Sequence, residues 1–182
     1  MSTVETGFDP LTLVGSLEGT RWAIFTWGSR GPFAAIGIGL SDLPAVIAAH
    51  GPAAGDELLQ AVVRRVGATI PTIPDGYLGR IDEARFLALV ATPDAREAAF
   101  LARRLHDAIA EPLPMGLATI EPRSRLVAVP VRVGPKTPMT LPGLPSSWKI
   151  GGKERTDLIA LVRFALTAMP DDGDPVLALD HA

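Results

Sequence analysis

Two segments of this chain are apolar at every position, and they constrain its fold more than any other feature. Residues 33–40 read Phe-Ala-Ala-Ile-Gly-Ile-Gly-Leu, and residues 86–90 read Phe-Leu-Ala-Leu-Val. Both are of strand length, and successive side chains of a strand point to opposite faces. A strand that is apolar on both faces must be covered on both. The two segments are therefore expected to be buried neighbours in the middle of a sheet with helices above and below.

Other periodicities supply the cover. Leu58, Leu59, Val62, Val63 and Val66 recur at helical spacing, with Asp56, Glu57, Gln60, Arg64 and Arg65 on the other side. Residues 95–110 form a second amphipathic helix, with Ala98, Leu101, Leu105, Ala108 and Ile109 on one face. A shorter helix over 43–49 ends at Gly51-Pro52, and Thr156 is placed to cap a last helix running to about Met169. Further strands are expected at 77–81, 126–133 and 176–179. Pro130 removes an amide donor from one of them, which points to an edge or a bulge. Residues 134–153, with four prolines and four glycines, read as a long surface loop.

The beginning of the chain adds one more element. Residues 1–20 read as a flexible leader, and 21–182 as a single domain. Residues 21–27 alternate as a strand, with Trp22, Ile24 and Thr26 on one face and Ala23, Phe25 and Trp27 on the other. The turn Gly28-Ser29-Arg30-Gly31 would join it to 33–40 as a hairpin. An edge strand with large apolar groups on both faces and no charge or proline to blunt it invites another chain. Trp22, Phe25 and Trp27 are accordingly the candidate interaction residues, with a second subunit as the favoured cover. The order of elements is strand–strand–helix–helix–strand–strand–helix–strand–helix–strand. It specifies an α+β fold, a central mostly antiparallel sheet of about five strands flanked by helices, with an extra N-terminal hairpin strand.

Composition removes several function classes. The chain has 182 residues, 47% of them hydrophobic, enough for one domain with an ordinary core. Its net charge is −3 and no Lys/Arg block stands out, so nucleic-acid binding by a basic face has no support. With no cysteine, disulfides, thiolate catalysis and Cys-based zinc sites are excluded. The longest apolar stretch, 33–49, is interrupted by Ser41, Asp42 and Pro44, and the N-terminus lacks a signal-peptide pattern. The expected location is the cytoplasm, with no membrane span. His50, His106 and His181 lack metal-ligand spacing, and the serines lack a nucleophile-elbow context.

Four matches in order carry a family resemblance. They are Gly55-Asp56 followed by Leu58-Leu59 and Val62; Arg80-Ile81 with Phe86; Leu158-Ile159 with Ala165-Leu166; and Gly173 with Val176. Together they resemble the GGDEF domain of diguanylate cyclases over roughly residues 33–179. That family writes Arg-Leu-Gly-Gly-Asp-Glu-Phe where this chain has Arg80-Ile81-Asp82-Glu83-Ala84-Arg85-Phe86. The resemblance implies a first metal-binding acid at Gly39 and the signature acids at Ala84 and Arg85. It puts the guanine-reading asparagine at Ile47 and its partner aspartate at Asp56. The phosphate-approach glycines fall on Asp82 and Glu83, the phosphate-binding cations on Pro170 and Asp174, and the product-inhibition motif on Ile73 and Gly76.

Cyclase chemistry would need oxygen ligands for Mg²⁺ and cations for the triphosphate. Ala84 offers no ligand, and Arg85 brings a positive charge to the metal's place. The expectation is a degenerate, non-catalytic domain without cofactor or metal, acting through a protein partner or through self-association. The alternative is a sensor that binds a guanine nucleotide or cyclic dinucleotide without turnover, contacting it through Asp56, Arg80 and Arg85. For Asp56 the plainer reading is a helix-start acid favoured by the helix dipole.

Overall fold

The computed structural model describes residues 7–70, 76–92, 94–134, 137–140 and 157–179. The elements run α1 (Leu17–Arg30), β1 (Phe33–Leu40), α2 (Leu43–His50), α3 (Pro52–Thr69), β2 (Tyr77–Arg80), β3 (Arg85–Val90), α4 (Ala95–Ala110), β4 (Leu113–Met115), β5 (Ala118–Ile120), β6 (Ser124–Gly134), β7 (Thr137–Thr140), α5 (Leu158–Ala168) and β8 (Val176–Ala178). The main sheet runs β2-β3-β1-β6-β7, with β8 added beside β6 in parallel. The other pairings in it are antiparallel. The two apolar segments are neighbours as expected, with Ala34 opposite Val90 and Gly39 opposite Arg85.

Each face of the sheet has its own core. Ala34, Ile36 and Ile38 of β1 join Phe86, Ala88, Leu126 and Ala128 under α2, α3 and α4. Phe33, Ala35, Leu87, Leu89, Val127 and Val129 pack on the opposite face against α5 and the inner side of α1. The strict alternation of the two sets along β1, β3 and β6 is the period of a strand covered on both sides. Gly37 lets α5 come close, since a Cβ there would lie 2.3 Å from Val162 Cγ1 and 2.8 Å from Val127 Cγ1.

Three expectations need correction. The strand expected over 21–27 is helix: α1 is capped by Ser16, whose side chain accepts from the Gly19 amide at 3.2 Å. Its inner stripe is Thr20, Ala23, Ile24 and Trp27, a helical spacing that overrides the β-branched and aromatic content. α5 is capped by Asp157, accepting from Ile159 N and Ala160 N, whereas the expected cap Thr156 lies outside the described residues. The 134–153 segment contributes a strand, β7, while 141–153 lies outside the described residues.

Pro130 has a clear place. Leu126 N donates to Pro175 O and Leu179 N to Ala128 O, so even-numbered residues of β6 turn their backbone groups away from β1. Pro130 shares that parity. It falls between β8, which ends its pairing at Ala128, and β7, which pairs from Arg132, so its missing amide costs no ladder bond.

The described part of the leader also has structure. Gly15 N donates to Leu78 O and Arg80 N to Gly15 O, so this segment covers the outer edge of β2. Asp9 locks it. Its carboxylate accepts from Thr12 N at 2.9 Å and Thr12 Oγ1 at 2.5 Å, and Arg80 lies 3.3 Å away. Burial pushes the Asp9 carboxyl upward, but the Thr12 and Arg80 bonds outweigh it and hold the group below its usual range.

Candidate functional site

The antiparallel register puts three residues in one row across three strands. Gly39 near the end of β1 is opposite Arg85 of β3 on one side and Arg125 of β6 on the other. Directly paired residues point to the same face, here the α5 face, and the row opens into a cleft of about 660 Å³. Leu40 at the end of β1, Pro44 at the start of α2, Leu166 and Thr167 of α5, and Asp82 and Glu83 form its walls and lip. A Cβ on Gly39 would meet only Leu166, at 3.5–3.8 Å, so the position has room for a side chain.

The β2–β3 connection is fixed from both sides. Asp82 Oδ1 accepts from Ala84 N at 3.2 Å, forming a local turn. Leu40 N donates to Ala84 O at 3.0 Å, tying that turn to β1. Arg80 braces it from behind, donating to Asp82 O at 3.1 Å and Glu83 O at 2.9 Å. Arg163 of α5 donates to Ile81 O, and its Nε stands 3.2 Å from Asp82 Oδ2, close enough for an ion pair but not aligned as a hydrogen bond.

Arg85 enters the cleft from this frame. It donates to Asp82 Oδ2 at 2.9 Å and to Thr167 Oγ1 at 3.0 Å. These contacts use two of the five N–H donors of a guanidinium. Arg125 is ion-paired with Asp171 on the turn after α5. Its side chain is only 20% exposed, while that of Asp171 is 97% exposed. Among the described residues no group of three or more His, Asp or Glu side chains is arranged to hold a metal ion.

A second cleft, of about 1140 Å³, lies on the other side of the Arg125–Asp171 pair. His106 Nδ1 and Ser124 Oγ meet there at 3.1 Å. His106 is half-buried and partnered. Asp174 does not line the first cleft. It is bound by Arg103 of α4 at 2.8 Å, and that bond together with the Val176 amide holds its carboxyl below the usual range.

The structure separates the residues that the sequence grouped. Of Asp56, Arg80 and Arg85, only Arg85 lines the cleft. Arg80 is spent on the turn and on Asp9. Asp56 is exposed near the start of α3, away from every described cleft lining. Ile47 covers Gly55, where a Cβ would lie 2.5 Å from Ile47 Cγ1. Of the three aromatic candidates, Trp22 and Phe25 are about two-thirds exposed and sit 5.7 Å apart. Trp27 turns inward, edge-on to Phe33 at 5.9 Å. Ile73 lies outside the described residues.

Sequence reasoning missed Arg125, Arg163, Thr167 and Asp171. The i, i+4 pair Arg163–Thr167 on α5 was a usable signal for two of them. Arg125 became meaningful only through strand register.

No protein-family model matches the sequence, and no curated protein sequence matches it. Solved structures do. The diguanylate cyclase SiaD of Pseudomonas aeruginosa, solved in complex with its activator SiaC, superposes at a TM-score of 0.65 with 16% identity, over 70% of this chain and 50% of that one. The match thus spans half the length of SiaD. A sensory box/GGDEF family protein from Caulobacter crescentus gives 0.61 with 23% identity, covering 68% and 82%. The FimX GGDEF domain of P. aeruginosa gives 0.62 with 18% identity, covering 72% and 83%. The chain has a GGDEF-like fold, the α+β architecture that the spacing of its apolar segments and signature hairpin implied.

Proposed function

We propose that this chain is a non-catalytic GGDEF-like domain, a cytoplasmic regulatory module that works by protein association. The observation that carries the non-catalytic half is the row Arg85–Gly39–Arg125. Two of its members, Gly39 and Arg85, lie where the resemblance implies carboxylate ligands. A divalent ion about 4 Å from one guanidinium would meet a repulsion of about 8 kcal/mol at an effective dielectric of 20, twice the unit-charge value. Two guanidiniums flank that point. The acids nearby are engaged, Asp82 with Arg85 and Arg163, and Asp171 with Arg125.

The association half rests on α1. Trp22 and Phe25 form an exposed aromatic pair on its outer side, and tryptophan is enriched at binding hot spots. SiaD, of the same fold, was solved bound to an activator protein. The favoured partner is a second copy of this chain. Light scattering at high micromolar concentration should give a dimer mass, and Trp22→Glu with Phe25→Glu should halve it. A monomeric wild type would contradict self-association. Guanine-nucleotide sensing has weaker support, because Asp56 stands apart from Arg85 and the cleft.

A further inference from the structure

We propose that the cleft at the Arg85–Gly39–Arg125 row is a metal-independent binding site for a small phosphomonoester, gripped by its phosphoryl oxygens between the two guanidiniums. This goes beyond the associating role and does not depend on it. Arg85 and Arg125 are placed on either side of Gly39 by two separate strand pairings. Glycine leaves the space between them free of side chain, although Leu166 would accept a Cβ there in ordinary contact. Two guanidiniums facing one gap repel each other unless an anion lies between or beside them. Their planar donor forks match phosphate oxygens.

The present counterions differ in how firmly they are held. Asp82 is fixed by the Ala84 amide, Arg85 and Arg163, and it orients Arg85 while taking one of its five donors. Thr167 Oγ1 fixes the same guanidinium from α5. Asp171 is the opposite case. Its side chain is almost fully exposed, while the Arg125 that it covers is four-fifths buried. A largely solvated carboxylate holds its partner weakly and is readily displaced by an incoming anion. The phosphoryl group would take Asp171's place on Arg125 and use the remaining donors of Arg85.

Size and lining set the ligand class. A volume of about 660 Å³ lies within the usual range for small-molecule sites. Pro44 and Leu166 offer apolar contact to a carbon skeleton behind the phosphoryl group. Glu83 at the lip disfavours a longer polyphosphate chain reaching outward. One phosphoryl group on a compact organic body fits best.

Calorimetry in EDTA, with inorganic phosphate and ribose 5-phosphate as probes, tests this on the full chain. Saturable 1:1 binding is expected for both, tighter for the ester and unchanged by added Mg²⁺. Arg85→Gln and Arg125→Gln should each weaken it by about tenfold or more. Asp171→Asn, at an exposed position, should tighten it by about threefold by removing the competitor. Gly39→Asp should place a carboxylate in the gap and abolish binding while the circular dichroism spectrum is kept. Equal affinity for phosphate and ester would overturn the ester assignment. No saturable binding at millimolar probe, a requirement for a divalent ion, or binding that survives Gly39→Asp or ignores Asp171→Asn would overturn the site. Should an arginine variant fail to fold, the Gly39 and Asp171 variants decide.

Discussion

Gly37 and Gly39 look alike in the sequence, two glycines separated by one isoleucine on an apolar strand, but they do different jobs. At Gly37 a Cβ collides with Val162 and Val127, so glycine is what lets α5 lie against the sheet. At Gly39 a Cβ has ordinary contact with Leu166 alone. Gly37→Ala should therefore cost about 1–3 kcal/mol by overpacking. Gly39→Ala should be neutral or stabilising by up to about 1 kcal/mol, because strand glycine is entropically costly. Urea denaturation of both variants checks the pair, and equal effects would contradict the packing described. The sequence carried the identity of these residues but not their neighbours. The same holds for Arg85. Its charge was legible as a departure from the family signature, whereas its partners Asp82 and Thr167, and Arg125 across the row, depend on register and on α5.

At the scale of elements, β1, β3, α3 and α4 were readable because each has one dominant periodicity. α1 was not. Its run of Trp, Ile, Phe, Thr and Trp alternates well enough to imitate a strand, and the helical stripe Thr20–Ala23–Ile24–Trp27 includes a buried threonine that hydropathy does not flag. Thr20 pairs with Ser16 O and the Tyr77 hydroxyl, and burial raises the Tyr77 pKa, partly opposed by that bond. The Ser16 cap with Glu18 in the first turn was the missed signal. The clasp made by residues 7–16 yields a pH prediction. The Asp9 carboxyl is held below its unfolded value of 3.8, so its contribution is fully present above about pH 4 and is lost as pH falls through the folded value. Asp9→Asn should cost about 1–3 kcal/mol at pH 7, and the cost should shrink as pH falls below about 4 and through the lowered folded value, where the Thr12 and Arg80 bonds lose their charged acceptor. A difference that stays constant across that range would contradict the role given to the carboxylate. Trp22→Glu and Phe25→Glu lie on the outer side of α1, and their melting temperatures should stay within a few degrees of wild type.

For the whole molecule, the two-sided core is what specifies the fold. Alternating apolar residues on three central strands specify the sheet and its helical cover. The residues that specify the fold lie in the β1, β3 and β6 interiors, and the proposed site lies apart from them at their rim. No helix among the described residues is long and apolar enough to cross a membrane. The central claim is that the rim of this GGDEF-like fold, with Gly39, Ala84 and Arg85 at the places implied for metal ligands, does not make cyclic di-GMP. It is tested most directly by incubating the purified chain with GTP and Mg²⁺ or Mn²⁺ and resolving the products by chromatography. No product above a protein-free blank is expected. Cyclic di-GMP that tracks with the protein through purification and disappears in the Asp56→Ala variant would contradict the account.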